Sequence, residues 1–210
     1  MNRKEHWQKV YRDNPSNGVS WFQEKPLVSL NFLHELKVEK DAAIIDVGGG
    51  DSNLVDYLLE EGYTDITVLD ISQNALEKSK LRLGEKANKI NWIVSDVTSF
   101  VSARKFDLWH DRAVLHFLTN ENEVEQYFIA ANNNLNDLGK MVLGTFSTEG
   151  PDKCSGLPVK RYNQDSITNR ARKFFKKIKC ITAEHLTPIN RIQQFLFCSF
   201  LKSPIQYGNS

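Results

Sequence analysis

The sequence predicts an α/β protein with a doubly wound, mostly parallel sheet and an antiparallel last strand. Three observations predict it. From residue 43 onward, apolar runs of strand length alternate with stretches of helical periodicity, the pattern of a parallel sheet covered on both faces. The first strand ends in Gly48-Gly49-Gly50, directly before a helix pattern. The chain closes on two long strand patterns joined by Thr187-Pro188-Ile189-Asn190, which reads as an antiparallel hairpin at one sheet edge.

The elements follow in order. Residues 1–25 mix large aromatics with polar groups, and Trp7 and Tyr11, four apart, share one helix face. Asn14-Pro15-Ser16-Asn17-Gly18 ends that helix. Pro26 opens a second amphipathic helix along Leu27, Leu30, Leu33 and Leu36. Strands are expected at 43–47, 66–70, 91–94, 106–110 and 139–146, with helices at 52–61, 73–83 and 121–135. Asp51 or Ser52 caps the first of these helices, Gly62-Tyr63 ends it, and Ser72 caps the next. Residues 147–163 read as an irregular stretch, 164–174 as a basic helix, and 177–184 with 193–201 as the closing strands. The chain is expected to be one domain, divided into an N-terminal helical segment (1–42), a ligand-binding core (43–146) and a loop-plus-hairpin region (147–210).

Bulk properties exclude several classes. The chain has 210 residues, 40% hydrophobic and 25% charged, with a net charge of +1. That suits a globular protein with a real core and supplies no global field toward nucleic acid or membrane. No apolar run reaches the ~18 residues of a membrane span, and the N-terminus lacks a signal-type stretch. Cys154, Cys180 and Cys198 are odd in number and widely spaced, which argues against a disulfide framework and fits a reducing cytoplasm. No cysteine or histidine spacing suggests a metal site.

The glycine triplet lets a ligand approach the backbone closely, and Asp70 closes the second strand 20 residues after Gly50. An acid there accepts hydrogen bonds from the ribose hydroxyls of an adenosine. The dinucleotide pattern also requires a third glycine, and Asn53 occupies that position. Asp46 and Asp51 would repel a pyrophosphate but favour a cationic sulfonium, so charge points to S-adenosylmethionine rather than NAD.

Ile45-Asp46-Val47-Gly48-Gly49-Gly50, Asp70, Ser95-Asp96 and Phe106-Asp107-Leu108-Trp109-His110-Asp111, with the order of elements, resemble a class I S-adenosylmethionine-dependent methyltransferase. The resemblance implies a Rossmann-like, seven-stranded sheet. More narrowly, the chain resembles small bacterial members of the thiopurine methyltransferase-like and lysine methyltransferase-like groups. That likeness rests on His6-Trp7 with Tyr11, on Val19 to Gln23, and on Thr145-Phe146 through Gly150-Pro151, Cys154 to Val159 and Arg161-Tyr162.

The resemblance implies roles. Gly48, Gly49 and Gly50 would underlie the methionine part of the cofactor, and Asp46 would hold its ammonium. Asp70 would bind the ribose, Ile71 would pack on the adenine, and Asp96 with the Val97 backbone would receive the adenine amino group. Asp111 and Arg112 would face the methyl group and the acceptor. Trp7, Tyr11, Trp21 and Phe22 would form a lid, with core packing as the alternative. Asp96 as a turn cap and Arg112 as a surface ion pair are the plain alternatives for those residues.

Methyl transfer needs a general base only when the acceptor arrives protonated, and Asp111 and His116 are the candidates. His116 as a packed helix histidine is the competing reading, and His110 is expected to point into the core. Cys154, beside Lys153 and near Arg161, reads either as an exposed soft thiolate or as a small residue in a compact loop. Arg170, Arg172, Lys173, Lys176, Lys177 and Lys179 read as a solvated helix face rather than a nucleic-acid surface. The functional reading is a methyltransferase acting on a small-molecule acceptor, of soft sulfur or selenium type among others. A protein lysine methyltransferase and a non-catalytic cofactor-binding regulator are the alternatives.

Overall fold

The computed structural model describes residues 2–203. Helix α1 (Arg3–Asp13) starts at a capping box in which Asn2 and Glu5 satisfy each other's backbone N–H groups. It is followed by α2 (Leu27–Glu35), β1 (Ile44–Val47), α3 (Leu54–Glu60), β2 (Ile66–Asp70), α4 (Gln73–Leu83), β3 (Ile90–Val94) and β4 (Phe106–Arg112). Helix α5 (Glu121–Asn134) runs straight into β5 (Leu135–Phe146). Two-residue strands β6 (Lys153–Cys154) and β7 (Leu157–Pro158) precede α6 (Gln164–Ala171), β8 (Phe175–Leu186) and β9 (Ile192–Lys202).

Seven strands form one sheet in the order β3-β2-β1-β4-β5-β9-β8. Pairs among β1 to β5 are parallel, whereas β9 runs antiparallel to both β5 and β8. This is the doubly wound sheet with an antiparallel last strand that the element order predicts. Two apolar layers cover its faces. One holds Trp109, Tyr127, Phe128 and Phe175 under α5 and α6; the other holds Leu33, Ile44, Leu58 and Phe197 under α2 and α3. No helix among the described residues is long and apolar enough to cross a membrane.

Several local features differ from the expectations, each for a physical reason. Helix α3 begins at Leu54 because Asp51 does not cap it: its carboxylate turns to Arg82 at 2.9 Å, and the Ser52 hydroxyl accepts the Leu54 N–H instead. Ser72 does cap α4, accepting from the Ala75 N–H, and Gly62 at φ 85° ends α3. The 147–163 stretch holds a tiny hairpin, β6–β7, turned at Ser155 and Gly156, both with positive φ. The basic helix stops at Ala171, so Lys176, Lys177 and Lys179 lie on edge strand β8, where lysines discourage edge-to-edge pairing.

The cysteine reading needs the largest correction. Cys180 and Cys198 form a disulfide. They sit directly opposite each other across β8 and β9 with Cα atoms 4.1 Å apart, a proximity set by strand register and invisible in linear spacing.

Candidate functional site

A cleft opens at the carboxyl ends of the parallel strands. Val47 of β1 and Gly48 just after it, Asp70 of β2, Asp96 after β3, Arg112 of β4 and Phe146 of β5 all reach it. Doubly wound sheets bind ligands at this end, where the crossovers part.

The glycine triplet is explained position by position. Gly48 has φ 67° and lines the cleft, and a Cβ there would overlap the Val114 side chain. At Gly49 a Cβ would overlap the Asp46 carboxylate. At Gly50 it would lie 2.5 Å from the Asp70 carboxylate and 2.6 Å from Ala75. The triplet therefore lets two buried acids pack against the turn, and only its first member faces the cavity.

Asp70 lines the cleft and is 4% exposed. One oxygen accepts the Ser72 N–H at 2.7 Å. Burial pushes its carboxyl up to about 7, against the lowering effect of backbone N–H groups at Ser72, Gly50 and Ile71. Ile71, Asp96 and Val97 line the same end. Asp96 also caps the turn that follows it: one oxygen accepts from the Thr98 N–H and hydroxyl, and the other faces Arg3 at 3.4 Å.

Asp46 is placed differently from the expectation. It is buried behind the triplet and is not among the cleft-lining residues. One oxygen meets His110 Nδ1 at 2.6 Å, and His110 Nε2 meets the Ser29 hydroxyl at 2.8 Å. Its other oxygen is buried without a partner among the described residues. His110 does point into the core, toward α2.

Asp111 departs from the expectation that it faces the acceptor. Both of its oxygens are engaged inside the protein, by the Val114 N–H at 2.8 Å, the Leu115 N–H at 3.1 Å and the Tyr127 hydroxyl at 2.6 Å. Alternation along β4 turns it toward α5, and burial raises its carboxyl to about 6. It stabilises the turn in which Ala113 adopts φ 75°, and that turn presents Arg112, Val114 and His116 to the cleft.

Arg112 lines the cleft, partly buried, and burial lowers its guanidinium to about 10. It lies over the Phe195 ring, 5.3 Å from its centroid, and no carboxylate lies within ion-pair distance among the described residues. It is therefore not the surface ion pair weighed above.

His116 is fully buried. Its Nδ1 accepts the Phe146 N–H at 3.2 Å, so in the neutral ring Nε2 carries the proton. Burial, then the Arg112 charge, depress its pKa to about 3. The nitrogen that has no partner is a hydrogen-bond donor, which disagrees with a general-base role.

Trp7, Tyr11 and Trp21 line the cleft from above and pack together with Phe117. The Trp7 and Phe117 rings lie 4.9 Å apart, and the Trp7 and Trp21 rings 5.7 Å apart. Phe22 is partly buried and does not line the cleft. Polar bonds hold α1 down: the Gln8 side chain accepts from the Ser72 hydroxyl and the Asn74 N–H, at 3.0 and 2.9 Å.

Cys154 lines the cleft but is buried, and burial pushes its thiol up, so it is not the exposed thiolate envisaged. Arg161 does not lower it, because that guanidinium donates to the Thr148 and Gly150 carbonyls. Sequence reasoning missed Arg3, Val114, Phe117 and Phe195 as lining residues. Phe117, next to His116 and just past β4, carried a signal that position could have revealed.

Comparison with known proteins gives a consistent picture. The family model for a methyltransferase domain matches residues 45–141. EEF1A lysine methyltransferase 2 of Mus musculus is 28% identical over 105 residues, 46% of this chain and 43% of that protein. The eEF1A lysine and N-terminal methyltransferase of Mus musculus is 28% identical over 123 residues, 57% of this chain and 17% of that protein. The chain thus spans less than half the length of these two relatives.

Among solved structures, one concerning conversion of a disulfide bond into a thioacetal group during echinomycin biosynthesis has TM-score 0.77 at 15% identity, covering 95% of this chain and 93% of that one. The N-methyltransferase NodS of Bradyrhizobium japonicum, in complex with S-adenosylhomocysteine, has TM-score 0.71 at 14% identity, covering 97% and 100%. The 1,6-didemethyltoxoflavin-N1-methyltransferase of Burkholderia thailandensis, with its namesake and S-adenosylhomocysteine bound, has TM-score 0.69 at 16% identity, covering 96% and 84%.

Proposed function

Because this chain carries a methyltransferase domain on a class I methyltransferase fold, we propose that it is an S-adenosylmethionine-dependent methyltransferase acting on a small-molecule acceptor. The observation that carries the reading is Asp70 and Gly48 facing one cleft at the carboxyl ends of the strands.

The residues present fit the cofactor. A Cβ at Gly48 would reach the Val114 side chain, so its absence keeps the cradle open. Asp70 has carboxylate capacity beyond its bond to Ser72 and would accept the ribose hydroxyls. Ile71, Asp96 and Val97 would surround the adenine. Gly48 is the only glycine among the described residues that lines the cleft, so no pair of glycines cradles a pyrophosphate there. The charge argument for a sulfonium loses Asp51, paired with Arg82, and Asp46, turned to His110 behind the glycine turn; Asp70 and Asp96 are the carboxylates that line the cleft.

When bound, the cofactor supplies an electrophilic methyl group on a sulfonium, with a neutral leaving group. The protein's part is then to position the acceptor and exclude water. Trp7, Tyr11, Trp21 and Phe117 roof the cleft and supply aromatic faces to a cation. Asp111 keeps Arg112 and His116 in place without touching the cavity. Neither Asp111 nor His116 offers a free basic atom to the cleft, which favours an acceptor that needs no deprotonation by the enzyme.

Lysine methylation of a protein is the second reading, favoured by the partial likeness to the EEF1A lysine methyltransferases. A roof of α1 and the β6–β7 hairpin over the acceptor end suits a small acceptor better. The deciding experiment is an acceptor screen that follows S-adenosylhomocysteine release, with small molecules and EEF1A-type proteins side by side. Turnover on small molecules supports the reading. Turnover on protein lysines alone contradicts its acceptor half, and tight cofactor binding with no turnover on either favours a regulator.

A further inference from the structure

The cleft has two unlike ends. Its carboxylates, Asp70 and Asp96, stand at the end beside β2 and β3. At the other end, against β4, β5 and β9, stand Arg112, His116, Cys154 and the aromatic rings of Trp21, Phe117, Phe146 and Phe195.

No carboxylate among the described residues stands at that second end, and its charged group, Arg112, and its unpartnered nitrogen, on His116, are both donors. Arg112 has five N–H groups and gives two of them to the Trp21 carbonyl. No carboxylate among the described residues lies within 4.0 Å of it; Asp46, Cys154 and Tyr11 act on its charge, which in turn acts on His116 and His185. Asp46 is already bound to His110 and lies behind the glycine turn. His116 presents a buried Nε2–H with no partner among the described residues, its other nitrogen accepting the Phe146 N–H. The Cys154 thiol is held protonated by burial. An unpaired buried donor is costly, and such groups in native proteins commonly mark where a ligand belongs.

We propose that this end of the cleft receives an oxyanion carried on a flat apolar molecule, with the anion on the Arg112 guanidinium and the His116 Nε2–H and the apolar body among the surrounding rings. This deepens, and rests on, the reading of the cleft as the acceptor site of a methyltransferase. Guanidinium and imidazole N–H groups together match an oxyanion in charge and in donor number. A protonated amine brings only further donors and a second positive charge, and this end has no carboxylate among the described residues to pair with it. The His116 tautomer contributes because a fixed N–H cannot accept from an incoming amine.

The test uses benzoate, benzamide and benzylamine as probes. Each is titrated into the 210-residue protein by calorimetry at pH 7.5, with and without saturating S-adenosylhomocysteine. Nitrogen-15 NMR of the Arg112 side chain and the His116 ring follows the same titrations. Benzoate is expected to bind at least tenfold tighter than either other probe and to shift the His116 Nε2 and Arg112 resonances. Arg112→Gln should lower benzoate affinity at least tenfold, and Arg112→Lys, which keeps the charge, should lower it less.

Benzylamine binding as tightly as benzoate would overturn the proposal, as would benzoate binding that leaves both resonances unmoved. Should Arg112→Gln lose its fold through release of Trp21, the wild-type resonances still decide. Failure of S-adenosylhomocysteine to bind counts against the cofactor reading, while the titrations without it decide the anion site separately.

Discussion

Arg112, at the end of β4, donates from both terminal guanidinium nitrogens to the Trp21 carbonyl oxygen, each at 2.9 Å. This pins the segment after α1 to a strand whose end lines the cleft. Asn53 adds a second tie, donating its amide to the Gln23 and Glu24 carbonyls at 3.0 and 3.1 Å. The roof of the cleft thus rests on a few polar bonds and one aromatic cluster. The central sheet is held by two extended apolar layers.

That contrast predicts unequal local stability. Amides of residues 3–22 should exchange with solvent faster than those of β1 and β4 in the free protein, and slow at least tenfold with S-adenosylhomocysteine. Hydrogen exchange by mass spectrometry measures this. Protection of residues 3–22 equal to that of the sheet, and unchanged by ligand, would make these aromatics plain core and end the lid reading.

Asp70 and Asp111 should behave oppositely when altered. Asp70→Asn keeps an acceptor for the Ser72 N–H but loses the charge, so S-adenosylhomocysteine affinity should fall by about 2 kcal/mol with little loss of stability. Asp111→Ala orphans two backbone N–H groups and the Tyr127 hydroxyl and should cost about 2–4 kcal/mol of stability. Urea unfolding and calorimetry of both variants separate the two roles. A stable Asp111→Ala protein would remove that residue from the turn's support.

Cofactor affinity should depend on pH through Asp70. Its folded-state carboxyl is raised to about 7 from an ordinary value of 3.8, so the free protein carries a proton there across that window. This group's contribution to stability is full below about 4 and is lost as pH rises through 7. Ribose hydroxyls favour the ionised form, so S-adenosylhomocysteine should bind more tightly as pH rises from 6 to 8, by up to about tenfold per unit below 7. Asp70→Asn should flatten the profile. Affinity that is level in the wild type from pH 6 to 8 contradicts the assignment.

Gly48→Ala meets two obstacles, a positive φ and the Val114 side chain. It should cost about 2–4 kcal/mol and abolish cofactor binding. Combining it with Val114→Ala should recover the steric part alone, visible as a coupling of about 1 kcal/mol in a double-mutant cycle. Zero coupling would mean the turn relaxes away from Val114.

The sheet was legible because period-2 and helical stretches alternate cleanly, and the glycine triplet with Asp70 marked the end of the sheet where the cleft opens. The β4 residues were harder. Strand alternation sends His110 and Arg112 to one face and Asp111 to the other, so proximity to the strand's end did not make Asp111 a cleft residue. Two further features depend on contacts between distant segments. The His116 tautomer follows from a Phe146 N–H thirty residues away, and the Cys180–Cys198 bond follows from β8–β9 register. Likewise Asp51 looked like a cofactor neighbour until Arg82, from α4, claimed it.

The cofactor identity is the centre of the account, and calorimetric titration of S-adenosylmethionine, S-adenosylhomocysteine and NAD into the same protein sample tests it most directly. The account predicts micromolar binding of the first two, weakened about 30-fold by Asp70→Asn, and no binding of NAD. NAD binding with both sulfur compounds inert, or an Asp70→Asn protein that binds them as tightly as the wild type, would contradict it.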